Sequence, residues 1–245
     1  VPKNHTKFKE DRPMSFIFYT IFEVLKGVPN TIMISLVAII IGLFIGLIFA
    51  MIRLKRIPVL SQFIIIYNSF FRSTPLIVQL FIVYYGLPAF ILFLNEHLQW
   101  HINPDIFSPL IIAFIVFSLH AVAYLSESIK SGLQSVDYEQ IEAAQSVGLT
   151  RFHIYKEIVL PQAFAYALPN IENQFIMLIK GTSLAFAVQV TEIMAVSHII
   201  ANEGYRFITV YTVAAMFYWL LAMILEYIFN KMETSSLRYM QTNAS

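Results

Sequence analysis

The sequence contains no cysteine. A disulfide framework and a thiolate metal site are both excluded by that absence. Charge is scarce as well. Asp, Glu, Lys and Arg make up 13 % of the 245 residues, against roughly 25 % in soluble globular domains. A chain so poor in charge lacks the groups needed to wet a surface. The formal net charge is only +1, and no basic face remains outside the apolar segments, so nucleic acid is not an expected partner. No G-x-x-x-x-G-K-S/T loop that would cradle a phosphate is present. Residues 1–15 are polar, with Lys3, Lys7, Lys9 and Arg12. They are not followed by a short apolar core and cleavage site, so a cleaved signal peptide is not expected.

What the chain does hold is apolar residues, 58 % of the total, and their clustering matters more than their number. Val28 to Ile52 carries no charge, and about 20 such residues cross the hydrocarbon core of a bilayer. In lipid every backbone amide must be satisfied within its own segment, so the apolar runs predict helices. Five candidate spans follow: about 28–52, 75–94, 107–128, 160–180 and 207–230. The first contains Gly42 and Gly46, a small-xxx-small spacing that lets another helix, including one from a second copy, approach closely. Residues 57–95 would be about 57 Å long as one helix, too long for a bilayer. Arg72 and Pro75 interrupt them, so 58–71 is expected to be a partly embedded segment and 75–94 the span. Residues 184–200 are apolar but include Glu192 and His198, and they are expected to form a short helix in the outer half of the membrane.

Flanking cations give a weak orientation. With the N-terminus outside, the inner face receives Arg53, Lys55, Arg56, Lys130, Arg151, Lys156, Lys231 and Arg238. The outer face receives Lys3, Lys7, Lys9, Arg12, Lys26 and Arg206.

Between the third and fourth spans lies a polar insert, 129–159, unlike the rest of the chain. Its centre reads Glu142-Ala143-Ala144-Gln145-Ser146-Val147-Gly148 and it closes on Leu160-Pro161. The pattern predicts two short helices around a turn. Gly148 suits a left-handed cap on the first helix, and Thr150 is an acceptable N-cap for the second. On composition alone this is a hairpin resting on the membrane surface.

The spacing from Glu142 through Gly148 to Leu160-Pro161 resembles the EAA loop of ABC importer permeases. The resemblance spans roughly residues 28–230. Arg72-Ser73-Thr74-Pro75-Leu76, followed by Gln79-Leu80-Phe81, resembles the R-G-T-P-L segment of the polar amino-acid branch. Lys180-Gly181-Thr182-Ser183-Leu184 resembles its K-D-T-S-L segment, with Gly181 in place of an aspartate. Gly132, Ser135 and Val136 follow the family pattern, while Glu139 stands where glycine is usual.

The resemblance implies an all-α membrane protein with five transmembrane helices and a cytoplasmic hairpin, residues 137–161, between spans 3 and 4. Residues 1–27 would form a polar external segment, 28–230 the transmembrane domain and 231–245 a cytoplasmic tail. It implies a multi-pass protein of the bacterial plasma membrane with the N-terminus outside. Glu142, Ala143, Ala144, Gly148, Leu160 and Pro161 would couple it to a separate ATPase, present in two copies. No cofactor is implied on this chain, since ATP and Mg belong to that ATPase. A second permease copy or homologue and an external amino-acid-binding protein complete the implied assembly. Residues 182–211 most resemble importers of sulfur amino acids of the cystine type.

A charge at the membrane centre costs roughly 2.5–3.5 kcal/mol on insertion scales, so such residues call for a partner or a role. Glu127, Glu172, Lys180 and Glu192 qualify, with His120 a weaker case. Glu172 lies near the middle of the fourth span and is a candidate to receive a substrate ammonium. Its alternative is an internal ion pair. Asn173, Gln174, Thr182 and Ser183 are candidates for neutral hydrogen bonds to an amino acid, or for binding helices together. Arg72 is a pathway candidate too, although capping freed carbonyls or pairing with Glu127 is the stronger reading. His97 and His101, at i and i+4 beside Glu96 and Asp105, read as a polar outer loop rather than a metal site. Asn4-His5-Thr6 and Asn243-Ala244-Ser245 match the glycosylation triplet, a pattern frequent by chance. The competing class is an ion- or proton-coupled carrier using Glu127, Glu172 and His120 as relays. Such folds show paired repeats, and none is seen. An enzyme is disfavoured by the lack of a nucleophile–base pair or metal triad at common depth.

Overall fold

The structure, a computed structural model, describes residues 13–104 and 106–243, with side chains at 14–104 and 106–235. Lys3, Lys7, Lys9, Arg12, the Asn4 triplet, Asp105, Ala244 and Ser245 lie outside the described residues. Among the described residues there are helices and no strands. The order is α1 (Pro13–Leu25), α2 (Val28–Leu54), α3 (Leu60–Ser73), α4 (Leu76–Leu98), α5 (Pro109–Gln134), α6 (Tyr138–Ser146), α7 (Arg151–His153), α8 (Leu160–Gly181), α9 (Ile193–Gly204) and α10 (Phe207–Asn243). A π-helical segment, Ile154–Val159, joins α7 to α8, and a 3-10 segment, Thr182–Val188, follows α8.

Local chemistry sets these boundaries. Pro75 lacks an N–H and forces Thr74 into an extended conformation (ψ 141°), which ends α3 and starts α4 afresh. The predicted break in 57–95 is therefore present. Ser108 caps α5, its hydroxyl accepting from the Ile111 amide at 3.4 Å, and Pro109 occupies the first turn.

Four helices are long and apolar enough to cross a membrane: Met14–Leu54, Leu76–Leu98, Pro109–Gln134 and Phe207–Ser235. A fifth crossing exists only if Arg151–Val188 and Ile193–Gly204, bent by 54°, count together. The expected fourth span over 160–180 is thus one limb of a broken element. The reason is composition: α8 carries Glu172, Lys180 and several amides.

The core is centred on α5, which packs against α2 on one side and α8 on the other through Ala38, Phe117, Ala121, Leu125 and Leu178. Gly42 and Gly46 make the α2–α5 contact close. A Cβ on Gly42 would lie 2.7 Å from Leu125 Cδ1 and 2.8 Å from Ala121 Cβ. The small-xxx-small face is filled within this chain, so it is not a contact with a second copy. On the opposite face of α2, Ile40, Phe44 and Ile48 are exposed at i, i+4, i+8, an apolar stripe suited to lipid.

Two elements were not anticipated. Residues 13–25, expected only as part of a polar segment, form a helix with Phe16, Thr20 and Val24 buried at i, i+4, i+8 against α9 and α10. Helix α10 also runs on to Asn243 rather than ending near 230.

Candidate coupling hairpin and substrate cleft

Helix α6 begins where the Asp137 carboxylate accepts from the Glu139 amide at 3.0 Å. It ends in a Schellman motif. The Leu149 amide donates to the Ala144 carbonyl at 3.1 Å and the Gly148 amide to the Gln145 carbonyl at 3.0 Å. That geometry needs a left-handed residue, and Gly148 supplies it with φ +84°. A Cβ there would meet nothing within 4 Å, so the demand for glycine is conformational and not steric. Ala144 is buried with Val136, Ile154, Val159 and Ala163, while Glu142 and Ala143 face outward. Around them Tyr138, Val147, Leu149, Phe152 and Tyr155 are exposed. The result is a small, partly apolar docking face standing on its own core.

The second arm does not end before the fourth span. From Arg151 the chain runs through the π segment directly into α8, with Pro161 in the first turn of α8. Proline cannot donate to the preceding turn, and the wider π turn accommodates that missing bond. Gln162 Nε2 donates to Gln140 Oε1 at 2.7 Å and ties α6 to α8.

Replacing Gly148 by alanine puts a side chain at positive φ, at a cost of roughly 1–2 kcal/mol with no clash to relieve. Transport is expected to fall while the amount of protein in the membrane stays near wild type. Asn, which tolerates the left-handed region, is expected to do better than Ala. Uptake rates normalised to immunoblot signal check this, and an alanine variant as active as the parent would refute it.

A second polar assembly lies where α3, α5 and α8 meet. The Gln79 amide nitrogen donates to the Phe71 carbonyl at 2.9 Å and the Thr74 carbonyl at 3.0 Å, satisfying groups freed at the Pro75 break. Gln79 Oε1 faces His120 Nδ1 at 3.2 Å. Deeper between α2, α3 and α5, Glu127 accepts from Arg53 and from Asn68 Nδ2, the latter at 2.9 Å. Arg72 Nη1 is 4.0 Å from the same carboxylate oxygen, and its guanidinium sits 5.5 Å from the Tyr124 ring centre. Arg72 thus has a distant share of Glu127, whose close partner is Arg53. An open cleft of about 450 Å³ is lined by Arg72, Thr74, His120, Tyr124, Gln174 and Gly181, among others.

The remaining sequence candidates scatter. Glu172 is half-buried and Asn173 exposed; neither lines this cleft. Glu226 and Glu233 on α10 are the acidic neighbours of Glu172. Thr182 is fully buried, its hydroxyl donating to the Ile179 carbonyl at 2.8 Å, and the Ser183 hydroxyl donates to Lys180 O at 2.7 Å. Lys180 is exposed at the end of α8.

Glu192 is fully buried and satisfied. One oxygen caps α9 through the Ala195 amide at 2.8 Å and the other accepts from the Tyr218 hydroxyl at 2.6 Å. His97 Nδ1 lies 2.9 Å from the Phe93 carbonyl of its own helix. Tyr124 and Asn68 were not singled out from the sequence. Tyr124 stands one turn beyond His120 on the same helix face, the only signal that could have found it.

The chain matches, over residues 42–238, the family model described as "Binding-protein-dependent transport system inner membrane component". It is 39 % identical over 216 residues to the probable amino-acid ABC transporter permease protein PatM of Vibrio harveyi, covering 86 % of this chain and 92 % of the relative. It is 35 % identical over 205 residues to the L-cystine transport system permease protein TcyL of Bacillus subtilis (strain 168), covering 84 % and 83 %. Among solved structures, that of an amino acid ABC transporter with histidines superposes with a TM-score of 0.77 at 25 % identity, over 92 % of this chain and 99 % of that one. An inward-facing MetNI methionine ABC transporter, at 18 % identity and a TM-score of 0.64 over 93 % and 99 %, shares the fold. With a buried three-helix core, an EAA hairpin and these matches, the chain belongs to the family of binding-protein-dependent transport system inner membrane components, the permease subunits of ABC importers.

Proposed function

We propose that this chain is the membrane permease of an ATP-driven importer of polar amino acids, working by alternating access. The observation that carries the reading is the hairpin over 137–161. It offers Glu142, Ala143 and an exposed apolar rim on one side, and on the other its core is continuous with α8 through Leu160-Pro161. A partner that grips the rim moves α8 with it. In this reading the hairpin is cytoplasmic, the N-terminus external and the C-terminus internal. The gripping partner is a separate ATPase, two of which act on two permease chains, with an external binding protein delivering the amino acid. Arg72, Glu172, Asn173, Thr182 and Ser183 are the pathway candidates, and the relatives' names favour an amino acid, with cystine one choice among several.

The proton-coupled alternative fares worse on one specific contact. A relay carboxylate must take up and release a proton, whereas Glu127 is engaged by Arg53 and Asn68.

Two measurements test the proposal. A cysteine introduced at Gln145 is expected to react with a membrane-impermeant maleimide in inverted vesicles and to stay protected in intact cells. Reaction in intact cells would sink the topology. In proteoliposomes holding permease, ATPase and binding protein, uptake is expected to require ATP; uptake without nucleotide would favour the carrier.

A further inference from the structure

The cleft between α3, α5 and α8 contains three polar side chains of complementary chemistry. Arg72 contributes a guanidinium 47 % exposed whose only ionic contact is the 4.0 Å approach to Glu127. Such a group keeps donors free for a bidentate partner. Gln174 is 5 % exposed, and its amide has no hydrogen-bond partner among the described residues, although it lines the cleft. A buried amide left unpaired is costly, so a ligand or water must complete it.

His120 contributes an acceptor, by the following reasoning. The Gln79 amide nitrogen is committed to two carbonyls, so its oxygen is the atom that faces His120 Nδ1. Nδ1 must then carry the proton, and in the neutral ring Nε2 is left as a bare acceptor.

Gly181 also matters. Where the resembling motif has aspartate, this chain puts no side chain into the cleft, and a Cβ there would touch Leu76 Cδ2 at 3.3 Å. The cleft that holds Arg72 is thereby relieved of a competing carboxylate and kept open.

From this we propose that the cleft is a recognition subsite for the α-amino-acid backbone, in which Arg72 takes the carboxylate while Gln174 Oε1 and His120 Nε2 accept from the ammonium. The inference rests on the amino-acid importer reading and adds to it the atoms that read the substrate. Gln174 and Glu172 are two positions apart, about 200° around the helix, so the Glu172 face is left to the side chain or to a neighbouring subunit.

The test is equilibrium binding of radiolabelled L-glutamine, L-arginine and L-cystine to the permease–ATPase complex in nanodiscs without the binding protein, with each acid's methyl ester as competitor. The wild-type complex is expected to bind at least one acid and to prefer it to its ester. Arg72→Gln is expected to weaken the free acid by about tenfold to a hundredfold, the span of one charge-assisted pair, and to leave the ester unchanged. Gln174→Leu and His120→Phe are expected to weaken acid and ester alike.

The acid-to-ester ratio does not depend on how much of a variant folds. An unchanged ratio in Arg72→Gln overturns the subsite, as does a wild-type complex that imports an amino acid yet binds none of the three. A reconstituted system with no ATP-dependent uptake of any of them overturns the importer reading itself.

Discussion

Replacing Gly132 by valine is expected to abolish accumulation of folded permease. A Cβ at this position would sit 2.6 Å from the Ala163 carbonyl oxygen and 2.9 Å from Ala167 Cβ. The oxygen belongs to helix backbone and cannot rotate away as a side chain would. Relief requires α5 and α8 to separate, and these helices share the core beneath the hairpin. Overpacking a well-filled site costs typically 1–3 kcal/mol, and two further methyl groups against backbone place valine at or above the top of that range. Size-exclusion profiles of a fluorescent fusion in detergent give the readout, with loss of the monodisperse peak expected for valine and partial loss for alanine. Gly86→Ala is the control, because a Cβ there meets nothing within 4 Å. A valine variant eluting like the parent would show that the two helices are not in this contact.

Glu127→Leu is expected to be nearly as damaging, for an electrostatic reason. It strips Arg53, whose side chain is 14 % exposed, of its carboxylate, and leaves Asn68 Nδ2 with Ser126 alone. Breaking a buried ion pair from one side costs about 3–5 kcal/mol. The carboxylate here is 28 % exposed, which puts the expectation at the low end, about 3 kcal/mol. Removing both partners should hurt far less, since a matched apolar pair avoids the stranded charge. Arg53→Met with Glu127→Leu is therefore expected to recover most of the lost thermal stability, measured by unfolding in detergent as a double-mutant cycle. If the double variant is as unstable as the sum of the singles, the pair is not coupled.

Much of this architecture was legible in the chain because it rests on local chemistry. Pro75 must break a helix wherever it lies, and Gly148 suits a left-handed cap that only the preceding helix needs to specify. The hairpin's spacing from Glu142 to Pro161 is itself a local pattern. Helix α1 was equally local, since Phe16, Thr20 and Val24 keep a helical period, but the lysines before it lent the whole segment a polar look.

What could not be read was long-range. Glu192 looked like a cost to be explained, and its partner Tyr218 sits on another helix. Arg53 and Asn68 reach Glu127 across 74 and 59 positions of sequence, which no period records. The cleft was hidden for the same reason. Its parts fall in three segments, and only packing on α5 unites them.

The unbroken run from Arg151 through the π segment into α8 has an angular consequence. Each residue in a helix turns the chain by about 100°, so the compass bearing of the EAA face relative to the cleft is locked by residue count. One residue inserted between His153 and Leu160 would point that face at a different neighbour while leaving both ends individually intact. The same insertion in the segment between α4 and α5 would be absorbed by loop. In this molecule the hairpin and the cleft are geared to one shaft, and the gearing tolerates no slipped tooth.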